Sequence, residues 1–398
     1  DFSATIEQNL AVNSQNGNTQ KFRTTIEPRW DIDLSDTAHL VAVGRVRYDT
    51  AAKSGLSDSS DYFDLDLREF YVDLQWHNAY LRLGKQQIVW GQADGLRVLD
   101  VVNPFDLREF ILPDFEDRRI PLWTVNVEFP LNDVWTTQLL WIPDQSYDEL
   151  PDTGSLYKMT SPLVIPEVPA GVAVRIEDAE KPHKKMKDSD FGVRFSAFLA
   201  GWDVALNYMY HYRDQPVLYR YYDGANITVE PRYERSHLVG GSFSNVFGDT
   251  TLRAEFGYSS DRYFLTSNRL DSDGIVRSGE FSYVLGVDYQ GWTDWFISSQ
   301  VFQSILDNEQ DGLVRQKVDT SVTLLIRRNF MNEVLTAEAL LIQNMNESDG
   351  LLQVFLEYEL TSNVQVKVGA DLFYGSKEGM FGQFKENDRF TLGVEFGF

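Results

Sequence analysis

The sequence has no cysteine, few histidines and no long apolar run. Without Cys there are no disulfides, no zinc–thiolate sites and no thiol nucleophile. The five histidines (His39, His77, His183, His211 and His237) include no two at metal-ligand spacing on one strand or helix. No Gly-x-Ser-x-Gly elbow or phosphate loop appears, so the residues point away from an enzyme and imply no cofactor and no metal. Polar residues interrupt every apolar run before about 18 residues, the length a spanning helix needs, which excludes a helical membrane protein. Basic residues are also scarce. Lys and Arg number 36 against 60 Asp and Glu, and a net charge of −24 repels nucleic-acid phosphate. The chain opens at Asp1 inside an apparently structured segment, so an export signal is expected to have been removed.

What is present is alternation with a period of two. Phe390, Leu392, Val394, Phe396 and Phe398 alternate with Arg389, Thr391, Gly393, Glu395 and Gly397. Val364–Leu372, Val318–Ile326 and Phe191–Leu199 repeat the pattern. Each is a strand with one apolar and one polar face. The segments run to about 9–14 residues, the span of a tilted transmembrane strand rather than of an ordinary globular one.

The connections alternate as well. Very short ones fall at Leu34–Thr37, Trp76–Ala79, Pro130–Val134, Ala200–Trp202, Phe247–Thr250, Gly291–Asp294, Phe330–Glu333 and Thr361–Val364. Between them lie longer segments rich in acid, Gly and Asn, such as 51–62, 92–120, 143–187, 214–233, 265–277, 304–316 and 375–386. Short turns on one rim and long loops on the other predict a single all-β domain over 1–398, a transmembrane antiparallel outer-membrane barrel. Eight short turns plus an opening strand near 1–12 and a closing one at 387–398 make 18 strands, with 16 as the alternative because segment 1–12 and the 121–142 pair show the weakest pattern. Trp30, Trp76, Trp123, Trp135, Trp202, Trp292 and Trp295 are expected near the short turns as an interfacial girdle. A soluble β-sandwich also buries Trp, but needs no one-sided loop lengths.

The chain ends Thr391-x-Gly393-x-x-Phe396-x-Phe398, which resembles the C-terminal strand signal read by the barrel assembly machinery. Two further stretches carry a family likeness. One is Leu81-Arg-Leu-Gly-Lys-Gln-Gln-Ile-Val-Trp-Gly91 with Leu96-Arg-Val-Leu-Asp-Val-Val-Asn-Pro-Phe-Asp-Leu-Arg-Glu-Phe110; the other is Phe381-Gly-Gln-Phe-Lys-Glu-Asn-Asp-Arg389. Both resemble the proteobacterial outer-membrane barrels grouped as domain of unknown function 1302. Such proteins are often encoded near RND-type transporters and a periplasmic partner. The resemblance therefore implies a conduit for small, poorly soluble or amphipathic compounds, with a periplasmic or inner-membrane transporter as partner. Alginate-export barrels are similar in strand number and in a strand of the type LRLG[KR]Q, but a polyanion would want a strongly basic lumen. A closed-barrel scaffold or surface-binding protein is the rival class, and an outer-membrane hydrolase a third.

Three segments are candidates for function. In 92–120, Asn103-Pro104 reads as a helix N-cap with Pro at the first position, continued by Leu107–Phe110 until Pro113. A short helix there is placed to fold inward and narrow the pore; the alternative is a surface flap. Asp106, Arg108 and Glu109 would then face a wall carrying Arg45, Arg47, Asp73 and Arg82, with Glu69 opposite Gln86. Lys85 and Gln87 break the alternation, which calls for a bulge at Gly84 or a position above the apolar band. In 143–187, the apolar residues Leu163, Val164, Ile165, Val168, Val172 and Val174 suggest a partner, an opening for solutes or contact with lipid. The basic run His183–Lys187 suits lipopolysaccharide phosphates or neighbouring acidic loops. Asp271–Gly274 and Asp307–Gly312 have oxygen-ligand chemistry without the full calcium-loop spacing, and read as solvated turns.

Overall fold

A computed structural model describes residues 1–51, 63–166, 168, 171–184, 186–222, 226–268, 271–308 and 312–398. Loop residues 52–62, Pro169 and Ala170 of the apolar run, Lys185 of the basic run and 309–311 of the Asp307–Gly312 run lie outside them. The first strands are β1 (Phe2–Asn13), β2 (Thr19–Ser35), β3 (Ala38–Asp49), β4 (Phe63–Trp76), β5 (Ala79–Gln86), β6 (Leu122–Pro130) and β7 (Trp135–Ile142). A short β8 (Ala173–Ile176) precedes β9 (Asp190–Leu199) and β10 (Trp202–Tyr212), and β11 (Val217–Tyr222) with β12 (Asn226–Arg232) precedes β13 (Arg235–Phe247). Then follow β14 (Thr250–Leu265), β15 (Ile275–Tyr289), β16 (Trp295–Leu306), β17 (Val318–Phe330) and β18 (Leu335–Asn344). The last are β19 (Asp349–Thr361), β20 (Val364–Tyr374) and β21 (Arg389–Gly397).

All but β8, β11 and β12 form one 18-stranded antiparallel sheet, and β1 pairs with β21 to close it. Closure leaves no unpaired edge, the condition for strands in hydrocarbon. The register runs from Thr5↔Gly397 to Asn13↔Arg389, extended by reciprocal backbone bonds between Ala4 and Phe398 at 2.9 and 3.0 Å. Phe390, Leu392, Val394, Phe396 and Phe398 are exposed on the outer face, while Thr391 and Gly393 line an internal cavity. A Cβ at Gly393 would meet the Asn9 Oδ1 at 2.9 Å, so a larger residue on the seam requires the Asn9 side chain to move. The remaining strands make a small sheet in the long loops, β11 antiparallel and β8 parallel to β12.

All eight short turns lie where the sequence places them, with both chain ends on the same rim. Two connections on the other rim, 14–18 and 345–348, are as short as turns, so the asymmetry of loop length is a tendency rather than a rule. The girdle also needs one correction. Trp123 lies at the long-loop end of β6, opposite Lys85, while the other six tryptophans stay near the short turns.

The phase breaks have a local cause. The β3–β4 register slips between Val43 and Gly44, so Val43 faces Glu69 but Gly44 faces Leu67, and Arg68 is the extra residue. Phe63, Leu65 and Leu67 therefore point outward below the slip and Phe70 above it, with Arg68 buried. On β5, Gly84 has φ +137°, and Lys85 reaches Asp66 at 2.9 Å instead of lipid. The β4–β5 ladder stops at Phe70↔Lys85, so Glu69 is not paired with Gln86 as expected; the Gln86 amide donates to the Arg82 and Thr124 carbonyls.

A Cβ on Gly84 would sit 2.1 Å from the Phe70 carbonyl oxygen. Gly84→Ala is expected to cost about 1–3 kcal/mol through the backbone conformation alone. The β5 ladders keep register through Gly84, so its positive φ and not a bulge is what the variant tests. The readout is the urea midpoint at which the compact, heat-modifiable form in detergent is lost, and an unchanged midpoint contradicts a strained conformation there.

Candidate constriction in the barrel lumen

Beyond Gln86 the chain leaves the wall and crosses the interior before rejoining it at Leu122. An apolar anchor starts the crossing. Ile88, Trp90, Leu99 and Val102 are buried against Leu122, Leu140, Ile142, Met209 and Leu238 of the wall. Burying such side chains contributes about 1.5–3 kcal/mol each. Trp90 donates its indole N–H to Gln138 at 2.8 Å. Leu99 lies over Gly240, where a Cβ would come within 2.6 Å of its methyl group.

Polar groups of the segment are matched by side chains of the far wall. Glu255 accepts the backbone N–H of Leu99 at 3.1 Å and that of Gln92. Arg253 and Gln300 hold Asp94 at 2.7 and 2.6 Å, and Gln300 also accepts the Asp94 N–H at 3.0 Å. These bonds let irregular backbone lie at membrane depth, where an unpaired group costs several kcal/mol.

A second anchor lies near the β18–β21 side. Phe110 and Leu112 pack with Tyr157, Ile342, Leu351, Phe373, Phe381 and Phe384. The Phe110 ring centre is 4.9 Å from that of Phe384 and 5.7 Å from that of Phe381. The Phe381–Arg389 motif supports this cluster. Buried Asp349 accepts the N–H groups of Phe381 and Gly382 at 2.6 and 3.0 Å, and Asp388 accepts that of Phe373 at 2.7 Å.

Between the anchors the expected helix is absent. Phe105 and Asp106 are extended, bridging to Arg119 and Glu149, and 108–111 form a turn. Asn103 does not cap a helix: its side chain accepts the Ile88 N–H at 2.8 Å and donates to the Ile120 carbonyl at 2.8 Å. Asp148 accepts the Phe105 N–H at 2.7 Å. The helical turn of this segment, α1 (Phe115–Arg118), comes later, and Asp114 before it makes no side-chain cap.

Charge on this shelf is compensated pair by pair. Asp106 meets Arg108 at 2.6 Å and Arg47 at 3.1 Å, and Asp64 also touches Arg47. Glu109 reaches Lys21 at 2.9 Å, Arg23 at 2.7 Å and Arg389 at 3.0 Å, while Arg389 also holds Asp371 at 2.7 Å. Arg45 binds Glu27 and, at 2.9 Å, Asp117. Burial would raise both loop carboxyls, but Arg108 and Arg47 hold Asp106 well below the usual range, and Arg23, Lys21 and Arg389 do the same for Glu109. Asp73 and Arg82 stand apart from the shelf. They pair with each other at 2.6 Å near the 77–78 turn, and Arg82 covers the Tyr71 ring at 4.1 Å. Lys21, Arg23 and Arg389 were not singled out from the sequence.

Cavities remain on both sides of the shelf. One of about 240 Å³ lies between 106–118 and the walls of β1–β3 and β18–β21. Another of about 400 Å³ opens at the long-loop rim, with Leu163 and Val164 on its lining. The other apolar loop residues lie away from that cavity: Ile165, Val168 and Val174 are exposed, Val172 half-buried, and Val174 pairs with Ile227. Tyr157 and Ser161 tie the same loop to the 375–388 connection, Ser161 accepting the Leu163 N–H at 3.3 Å and donating to the Glu378 carbonyl.

The sequence profile described as "Protein of unknown function (DUF1302)" matches residues 4–398. The chain belongs to this family. No curated protein matches the sequence. Among solved structures, Pseudomonas aeruginosa OccK2 (OpdF), in complex with glucuronate, is similar at 12% identity and TM-score 0.57, over 100% of this chain and 97% of its own. Pseudomonas aeruginosa OpdK with vanillate follows at 11% and 0.54, over 100% and 98%. At these identities the likeness is one of fold: a closed 18-stranded barrel of the outer-membrane porin type.

Removing the negative charge of Glu109 leaves three largely buried cations sharing less compensation. Glu109→Gln is expected to loosen the shelf by about 3–5 kcal/mol, the usual cost of breaking a buried pair. Trypsin should then cut folded protein after Arg108, which the wild type protects; equal protection of both removes Glu109 as an anchor.

Proposed function

We propose that this chain is a non-enzymatic outer-membrane channel for small, poorly soluble or amphipathic compounds, with the 92–120 segment as its constriction. The observation that carries the reading is the crossing itself, a segment pinned to opposite walls with both charge signs paired on it and cavities left on either side. Local field sets selectivity at such a point, not total charge. The paired shelf therefore favours neutral and amphipathic solutes over simple ions, and the apolar Leu163–Val164 edge at the mouth suits the same class. The fold shared with OccK2 and OpdK supports a channel in the outer membrane, among lipid and lipopolysaccharide. Family membership supports a periplasmic or inner-membrane RND-type partner, and the Thr391, Gly393, Phe396 and Phe398 pattern supports insertion by the barrel assembly machinery.

Planar-bilayer recording tests the reading. Deleting 103–111 should raise conductance and solute uptake; no change in either would mean that this loop is not the gate. A wild type that never conducts would favour a closed-barrel scaffold. Reversal potentials should show weak ion selectivity, moving toward cations when Arg45 and Arg47 become Ala. Strong anion selectivity that vanishes in that double variant would indicate a basic anion pore instead.

A further inference from the structure

On the long-loop side of the shelf, the lumen keeps a place where charges are not closed on one another. A cavity of about 330 Å³ lies between 97–101 and the inner faces of β10 and β13–β16, with Arg97, Arg213 and Arg262 on its lining. Two of the carboxylates there are already engaged. Glu280 holds Arg262 at 3.1 Å and Arg315 at 2.7 Å. Asp148 accepts the Phe105 N–H at 2.7 Å and the Gln215 amide at 2.9 Å, leaving Arg97 4.0 Å away. The third, Asp214, forms no ion pair with Arg213, and burial together with the neighbouring Asp148 pushes its carboxyl up.

Arg213 is thus left over. Its guanidinium makes no side-chain hydrogen bond or ion pair with a described residue, and one terminal nitrogen of Arg97 is buried without a hydrogen-bond partner. An arginine fork takes a planar carboxylate by two parallel hydrogen bonds. The same cavity also has an apolar side, formed by Val98 and Val101 of the crossing segment and Leu238 of β13. It also shares Arg213, Gln215, Arg262, Glu280 and Ser304 with the cavity at the mouth, so a solute from outside reaches it first.

We infer that this cavity binds a small amphipathic monocarboxylic acid, its carboxylate on Arg213 and its apolar body against Val98, Val101 and Leu238. A polyanion is disfavoured, because Glu280 and Asp148 stand close by. The inference narrows the solute class of the proposed channel and rests on that reading for its purpose, though binding is measurable without transport.

The test is calorimetry on the full chain in non-ionic detergent with benzoate and its neutral isostere benzamide. Benzoate should bind about tenfold or more tightly than benzamide, as a charge-assisted bond requires. Arg213→Gln should remove that preference while leaving benzamide binding unchanged, and Arg213→Lys should keep most of it. Equal binding of the two probes by the wild type overturns the site. So does an equal loss in both variants, which would mark a structural role. Conductance of the same preparation separates the two readings: a conducting barrel without the preference refutes only the site, and a non-conducting one with it refutes only the channel.

Discussion

The need to pair every backbone polar group away from bulk water governs this molecule twice over. The barrel meets it by closure, β1 onto β21. The crossing segment cannot, because it has no regular ladder of its own, and so the wall supplies side chains: Glu255 and Gln300 on one side, Gln353 with Asp349 beneath its neighbours on the other. Each side chain on this list therefore has a reason to be polar in an otherwise confined space. The shape of the lumen follows from where those partners stand.

Apolar anchors and ion pairs divide the task of positioning. Leu99 over Gly240 and Phe110 among aromatics anchor the segment by burial, yet such contacts are non-directional. The ion pairs are directional and costly to form, since each charge gives up water. Their contribution is to fix where the shelf lies. Glu109 against Lys21, Arg23 and Arg389 sets one point, and Asp106 between Arg47 and Arg108 sets the other.

How legible this was in the sequence depended on the range of each interaction. Strand periodicity and two-residue turns are local, and the Asp73–Arg82 pair could be counted outward from the 77–78 turn. The helix at Asn103-Pro104 failed because capping is also local, and long-range competitors won: Ile88 and Ile120 took the Asn103 amide, and Glu149 took the place of an intrahelical partner. The partners of Glu109 come from β2 and β21, near the two ends of the chain. They become neighbours only after the barrel closes, so no spacing rule brings them together. Lys85 shows the intermediate case. Its break in phase was visible, but only the φ of Gly84 decides that its amine goes to Asp66 rather than to the rim.

Net charge, by contrast, is a poor guide to the interior. A sum of −24 suggests a surface hostile to anions, yet the shelf is balanced and the cavity beyond it is lined by an arginine whose guanidinium pairs with no described residue. The distinction matters because Coulomb energy falls with both distance and dielectric. Acidic loops facing water act weakly on a solute already inside, while a few side chains lining a cavity of a few hundred cubic ångströms act on it directly. Two such regions in series would treat the same solute differently, one offering a charge to meet and the next offering none. An amphipathic molecule has a part suited to each, and a simple ion has only one.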